Sequence, residues 1–176
     1  PPDEQIDSLE KLDFYPGVFT WLGRIARETD YDLVMVTNQD GLGTERFPEN
    51  TFWPAHEKMM KTFENEGIRF SQVLIDRSFP HENKPTRKPG TGMMTEFLNG
   101  SCDLKNSYVI GDRITDLQLA KNLGCKGILI NTGSLSLKVK AENLEAHCAL
   151  TSGNWEAIYN LLSQPQRKAT VVRTTK

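Results

Sequence analysis

Between Val18 and Ala26 the apolar positions Val18, Phe19, Leu22, Ile25 and Ala26 fall three and four residues apart, the spacing of one buried helical face. Pro16, just ahead of them, suits the first turn of that helix. The pattern then changes to a short apolar strand, Asp32–Thr37 (DLVMVT), and a glycine-punctuated loop, Asn38–Gly43 (NQDGLG). A second amphipathic helix is predicted from about Phe52 to Glu66, with Phe52, Met59, Met60 and Phe63 inward and Gly67 as its stop. Val73–Ile75 reads as a brief strand. The stretch after it, Asp76–Gly90, carries Pro80, Pro85 and Pro89 and is predicted to be a long loop with no regular element. A helix is expected to resume near Gly92, through Met93, Met94 and Phe97. Tyr108, Val109 and Ile110 form the next strand, which runs into Gly111 and a helix from Leu117 to Leu123 stopped by Gly124. Gly127–Asn131 and Cys148–Leu150 add two strands, and Trp155, Ile158, Leu161 and Leu162 mark a closing helix. Short apolar strands alternating with amphipathic helices predict an α/β fold: a Rossmann-like parallel sheet with helices on both faces and right-handed crossovers.

Composition narrows the class without naming a function. At 176 residues the chain is one domain by length, and its 38% hydrophobic and 25% charged residues are ordinary for a globular protein. A net charge of −2 gives no global basic field for nucleic acid, although Arg167, Lys168, Arg173 and Lys176 make the last ten residues locally basic. Cys102, Cys125 and Cys148 are odd in number and widely spaced, which argues for reduced thiols and a cytoplasmic location rather than a disulfide framework. No apolar run approaches the length of a membrane span, and the first residues lack the pattern of a signal peptide. The opening Pro-Pro, without Met, reads as a cut end, and residues 1–15 are polar and irregular.

The candidate chemistry sits where strands end. In open parallel sheets ligands bind outside the carboxyl ends of the strands. One such end gives Thr37 and Asn38, followed by Gly41 and Gly43, whose backbone can approach a ligand closely. The long loop closes with Arg87, Lys88 and Pro89. A third strand delivers Asp112 and Asp116, four residues apart. Such a carboxylate pair could share a hard, oxygen-liganded cation such as magnesium or hold a basic partner; equally, the two acids could simply face the positive end of a helix. A hydroxyl with backbone donors, a lysine beside a proline and an acid pair together make a phosphate-and-metal site. His56 and His147 fall in helix or strand patterns and read as packing or surface residues.

VTNQDGLG, TRKPGTGM and YVIGDRITDLQLAKNLG resemble the second, third and fourth motifs of haloacid-dehalogenase-type phosphatases. Within that superfamily they are most similar to the histidinol-phosphatase domain of the bifunctional histidine-biosynthesis enzyme. FYPGV precedes the first helix as in that family, and the terminal RTTK resembles the start of its imidazoleglycerol-phosphate dehydratase domain. The resemblance implies a phosphatase domain over residues 1–165 and a linker or start of the dehydratase domain over residues 166–176. It implies hydrolysis of L-histidinol phosphate through a phospho-aspartyl intermediate. Thr37 and Asn38 would bind the phosphoryl group, Lys88 would neutralise its charge and Arg87 would assist at the substrate. Asp112 would hold Mg²⁺, and Asp116 would support it or hold a water beside it. No nucleic acid and no membrane are expected as partners.

Two departures from the family pattern stand out. The family's first motif, an apolar strand ending in Asp-x-Asp-Gly-Thr that carries the nucleophile, has no counterpart in the sequence; Asp3, Asp7 and Asp13 follow no apolar strand. The resemblance places this strand upstream of Pro1 and at the centre of the sheet, between the strand ending at Thr37 and the strand ending at Asp112. A gap or a distorted pairing is expected there. Many relatives also bind zinc through Cys and His ahead of the lysine motif, but Asp76–Lys88 contains His81 and no cysteine, so no structural zinc is expected. Gln5 and Asp7 are the polar residues nearest the absent strand. The competing readings are a heptose-bisphosphate or polynucleotide phosphatase of the same superfamily, or a non-catalytic phosphate- or metal-binding remnant.

Overall fold

The computed structural model describes residues 5–130 and 134–164; the C-terminal segment expected to begin a dehydratase domain lies outside them. The first helix, α1 (Val18–Glu28), starts two residues after Pro16, with Gly17 in the left-handed region (φ 77°) as its N-cap. Strand β1 (Val34–Asn38) follows, then α2 (Glu49–Asn65) and β2 (Gln72–Asp76). After the long loop come β3 (Tyr108–Gly111), α3 (Ile114–Leu123) and β4 (Lys126–Ile130). A short helix α4 (Ser136–Ala141), β5 (Cys148–Ser152) and α5 (Trp155–Leu162) complete the order. No described helix is long and apolar enough to cross a membrane.

Every strand pairing is parallel. β1 lies beside β2 in the register Val34↔Gln72 to Asn38↔Asp76. β3, β4 and β5 form a second run, with Tyr108↔Lys126 at the start of one pairing and Ile130↔Ser152 at the end of the other. Alternation along the strands serves both faces, as period-two side chains must. Met35 and Ile110 pack toward Leu22 and Ile25 of α1 and Ile158 of α5, whereas Val36 and Val109 pack toward Leu119 and Leu123 of α3. The α/β architecture with helices on both faces is therefore present.

The sheet is in two parts. Among the described residues no segment pairs with the edges of β1 and β3 that face each other. Between them is a cavity of about 860 Å³, lined by Val34 and Val36 on one side and by Tyr108, Val109 and Ile110 on the other. Helix residues Leu22, Ile25 and Leu119 close its faces. At one end Tyr31 and Tyr108 meet edge to face, with centroids 6.1 Å apart; Lys88 and Asp116 line the cavity as well. This is the gap expected for an absent central strand. It is held open because α1, α5 and α3 pack across both halves.

Some elements differ from their expected bounds. The helix expected near Gly92 does not form. Met94, Phe97 and Leu98 instead donate to carbonyls three residues back (2.8, 3.0 and 3.2 Å), giving tight turns and a short 3-10 segment at Phe97–Asn99. Gly92 is drawn onto Pro85, where its N–H donates to the Pro85 carbonyl at 2.8 Å and an added Cβ would stand 2.8 Å from Pro85 backbone. That tether prevents the chain from entering a helical turn. α2 begins three residues earlier than expected, at Glu49, because extended Pro48 presets the entry and Thr51 donates its hydroxyl to the Pro48 carbonyl at 2.8 Å. α4 follows a stretch with no clear apolar period and was not expected.

Ile158 has no exposed surface and joins α5 to the core under α1 and β4. Ile158→Ala should lower the unfolding free energy by about 2–5 kcal/mol, read from urea midpoints at unchanged slope.

Candidate active site

The carboxyl ends of β1 and β3 and the returning end of the long loop meet at a cleft of about 1220 Å³. Asn38, Arg87, Lys88 and Asp112 line it, together with Arg113, Gln118, Lys138 and Glu142. Of the expected site residues, Thr37 is not in the wall; its hydroxyl accepts a hydrogen bond from Gln39 Nε2 at 2.9 Å. Asn38 clasps the lysine backbone from both sides, accepting from Lys88 N–H at 3.0 Å and donating to the Lys88 carbonyl at 3.2 Å. The Lys88–Pro89 peptide bond is cis.

Lys88 turns its ammonium onto Asp116, Nζ to Oδ1 at 2.9 Å, with the two side chains 17% and 6% exposed. The other Asp116 oxygen accepts from the Arg113 N–H at 3.1 Å, as an acid in a helix's first turn satisfies an orphan amide. Both oxygens of Asp116 thus have protein partners, and Asp112 stands exposed beside the lysine–aspartate pair. Among the described residues no group of three His, Cys, Asp or Glu could hold a metal by itself. Gly111 makes the pair possible, since a Cβ there would lie 2.1 Å from Asp116 Oδ2.

Arg87 is engaged too. Its guanidinium grips Asp40 with two bonds, Nη1 to Oδ1 at 2.5 Å and Nη2 to Oδ2 at 3.0 Å, and also donates to the Ser78 carbonyl at 2.8 Å. This fork makes Arg87 a brace between the NQDG loop and the lysine loop. Phe79 lies against Gly41, where a Cβ would meet its ring at 2.3 Å, so the glycine expected to approach a ligand here approaches an aromatic ring. His81 stacks on Phe79, centroids 5.5 Å apart, and His56 stacks on Phe52 at 5.0 Å. Gln5 donates to Asp7 at 3.1 Å, which also pairs with Lys11 at 2.8 Å; only Ile6 of that segment lines the cleft.

Sequence reasoning did not single out Asp40 or Asp76. Asp76, at the carboxyl end of β2, is buried. It accepts from the Ser78 N–H (2.9 Å), the Ser78 hydroxyl and the Thr86 hydroxyl (2.5 Å). Burial pushes its pKa up, but the bonds from Ser78 and Thr86 and the charge of Arg87 outweigh it and hold the carboxyl below its ordinary 3.8. An acid closing an apolar strand, VLID, was the available signal.

Residues 85–151, which include Lys88, Asp112 and Asp116, match the HAD-hydrolase-like family. The chain is similar to the haloacid-dehalogenase-like hydrolases in sequence and in fold. It is 52% identical to the histidine biosynthesis bifunctional protein HisB of Spirosoma linguale, over 99% of this chain and 48% of that protein. It is also 52% identical to HisB of Bacteroides fragilis, over 100% of this chain and 47% of that protein. The chain thus spans about half the length of these curated relatives. Among solved structures it superposes on D,D-heptose 1,7-bisphosphate phosphatase from B. bronchiseptica, complexed with magnesium and phosphate. The TM-score is 0.77 at 25% identity, covering 91% of this chain and 89% of that one.

Gly111→Ala is expected to destabilise the protein by about 1–3 kcal/mol, the usual cost of forcing a side chain into a filled site. Unchanged urea unfolding would show that Asp116 can leave its place without cost.

Proposed function

We propose that the chain is the phosphatase portion of a histidinol-phosphatase, hydrolysing L-histidinol phosphate to L-histidinol and phosphate in histidine biosynthesis. One observation supports the site: Lys88 lines both the cleft and the cavity between β1 and β3, so its ammonium lies where a strand filling that cavity would deliver its last residues. The similarity to the bifunctional HisB proteins supports the substrate and a covalent fusion to an imidazoleglycerol-phosphate dehydratase domain. A cytoplasmic location accords with three free cysteines.

The strand that fills the cavity would carry the nucleophilic aspartate. Its carboxylate oxygen would attack phosphorus as the phosphorus–oxygen bond to histidinol breaks and the departing alkoxide takes a proton; water would then cleave the phospho-aspartate. Lys88 neutralises charge on the transferring phosphoryl oxygens, which is most of what such a transfer needs. Asn38 holds the lysine backbone, and Asp116 holds its ammonium. The exposed Asp112 carboxylate fits a hard cation that takes one or two carboxylates and completes its shell with phosphate and water. We assign it as the ligand for Mg²⁺, which would supply further positive charge at the phosphate, with Asp116 acting through Lys88. Thr37 stands outside the cleft wall with its hydroxyl accepting from Gln39, so its contact with a phosphoryl oxygen would be the least direct of the set. The Asp76–Lys88 stretch offers no cysteine for zinc.

A second substrate has support from the superposition on the heptose bisphosphatase and from Lys84, Arg113 and Lys138 around the cleft, which suit a second phosphate. Phosphate release with Mg²⁺ should be compared for L-histidinol phosphate, D,D-heptose 1,7-bisphosphate and a terminally phosphorylated oligonucleotide. Joined to an upstream strand ending in Asp-x-Asp, the chain is expected to turn over L-histidinol phosphate fastest, to need magnesium and to carry no stoichiometric zinc. Residues 1–176 alone should be inactive and aggregation-prone through their open edges. Turnover by residues 1–176 would show that another group is the nucleophile.

Lys88→Ala in the extended protein should lower kcat by ~10²-fold or more, as loss of one charge-stabilising donor does. Near-normal turnover would remove Lys88 from the phosphoryl site.

A further inference from the structure

Asp76 lies outside the cleft wall, yet it ties together the two ends of the loop that delivers Lys88. One carboxylate oxygen holds the outgoing end through Ser78, and the other holds the returning end through the Thr86 hydroxyl at 2.5 Å. Thr86 is two residues before Lys88. A second contact bridges the neck beside this one, and a third fastens its outgoing end to the end of β1. Arg87 reaches back to the Ser78 carbonyl at 2.8 Å, and the Asp76 carbonyl accepts from Gln39 N–H at 2.7 Å. Gly90 and Gly92 turn back onto the Arg87 and Pro85 carbonyls at 2.7 and 2.8 Å, so the returning strand of the loop has little slack.

We propose that Asp76 is a positioning residue: its buried carboxylate closes the neck of the 76–88 loop through Ser78 and Thr86 and thereby sets the place of the Lys88 ammonium. A carboxylate accepting three hydrogen bonds is a strong organiser, because each bond is charge-assisted. The inference rests on the phosphatase reading only for what Lys88 does once placed; the closure of the neck stands on the contacts themselves. A buried acid that merely satisfied itself would contribute to global stability. A neck closure predicts a local effect instead.

The test uses the chain joined to a strand ending in Asp-x-Asp, as above, and two variants that remove the same contact from opposite sides, Asp76→Asn and Thr86→Val. Amide hydrogen exchange should quicken by about tenfold or more at Lys88, Gly90 and Gly92, the effect of losing one charged hydrogen bond, with α3 and α5 amides unchanged. The double variant should be no worse than the more severe single one, and Thr86→Ser, which keeps the hydroxyl, should behave as the parent. The affinity for orthophosphate with Mg²⁺ should fall about tenfold in Asp76→Asn and stay level in Thr86→Ser. Unchanged loop exchange in both variants overturns the proposal. So does exchange that rises equally in α3 and α5, or a loosened loop with full orthophosphate affinity. If the parent itself binds no orthophosphate, the phosphatase reading fails, and the exchange data still decide the role of Asp76.

Discussion

The ion pair between Lys88 and Asp116 is the contact on which the rest of the site depends. Its carboxylate is almost wholly withdrawn from water, and an ion so placed is tolerable only with its charge matched and its lone pairs occupied. The Arg113 N–H and the Lys88 ammonium do this. Removing one partner of such a buried pair typically costs about 3–5 kcal/mol, because the other is left uncompensated. The surroundings follow from that requirement. Gly111 must lack a side chain for Asp116 to sit against it, Asn38 must clasp the lysine backbone, and the loop that brings Lys88 from β2 must be fastened at its neck. Three segments far apart in sequence are thereby fixed by one pair of charges.

The divided sheet is the complementary constraint. An isolated β1–β2 pair would be marginal in water, and it persists here because α1 and α3 pack over both halves. Leu22 and Ile25 reach β1 and β4 on one face, and Leu119 and Leu123 do so for β1 and β3 on the other. Such packing preserves the width of the opening at the cost of uncovered strand edges, whose polar groups are poorly tolerated away from water. A strand of about five residues, roughly 16 Å long, matches the length of β1. With it in place the sheet would run without interruption from β2 to β5.

Strands were the most legible part of the sequence, since each is a short apolar run bounded by polar or glycine residues, and period two then decides which face each side chain takes. The expected α3 and α5 followed from apolar spacing that burial bears out at Leu117, Leu119, Leu123, Ile158 and Leu162. Met93, Met94 and Phe97 misled for a physical reason: Met94 is buried against α3, so their apolar character is real, but the tether of Gly92 to Pro85 turns the backbone away from a helix. α4 was missed because a helix this short presents only Val139 to the core. In the site, the residue types at strand ends pointed to loops that the structure brings to one cleft. They could not reveal that Asp116 would be taken up by Lys88 or Arg87 by Asp40, because those partners lie 28 and 47 residues away in sequence.

Those two pairings change what the cleft can offer a phosphate. Read as separate residues, Arg87 and Lys88 are two cations competing for one anion. In the structure Arg87 has surrendered its fork to Asp40, a geometry that a guanidinium holds strongly, and it acts by keeping two loops together. Lys88 keeps one compact charge with three donors, and Asp116 takes only one contact from its Nζ, leaving donors for an incoming phosphoryl oxygen. If Lys88 serves a phosphoryl group as proposed, a lysine already held by an aspartate would lose little orientation on meeting it, and the electrostatic stabilisation would need little reorganisation. The same pairing limits the net positive charge at the base of the cleft. A dianionic phosphate facing a carboxylate nucleophile would need more charge than one half-neutralised lysine supplies. The exposed Asp112 beside it is the group suited to recruiting that charge as a divalent cation.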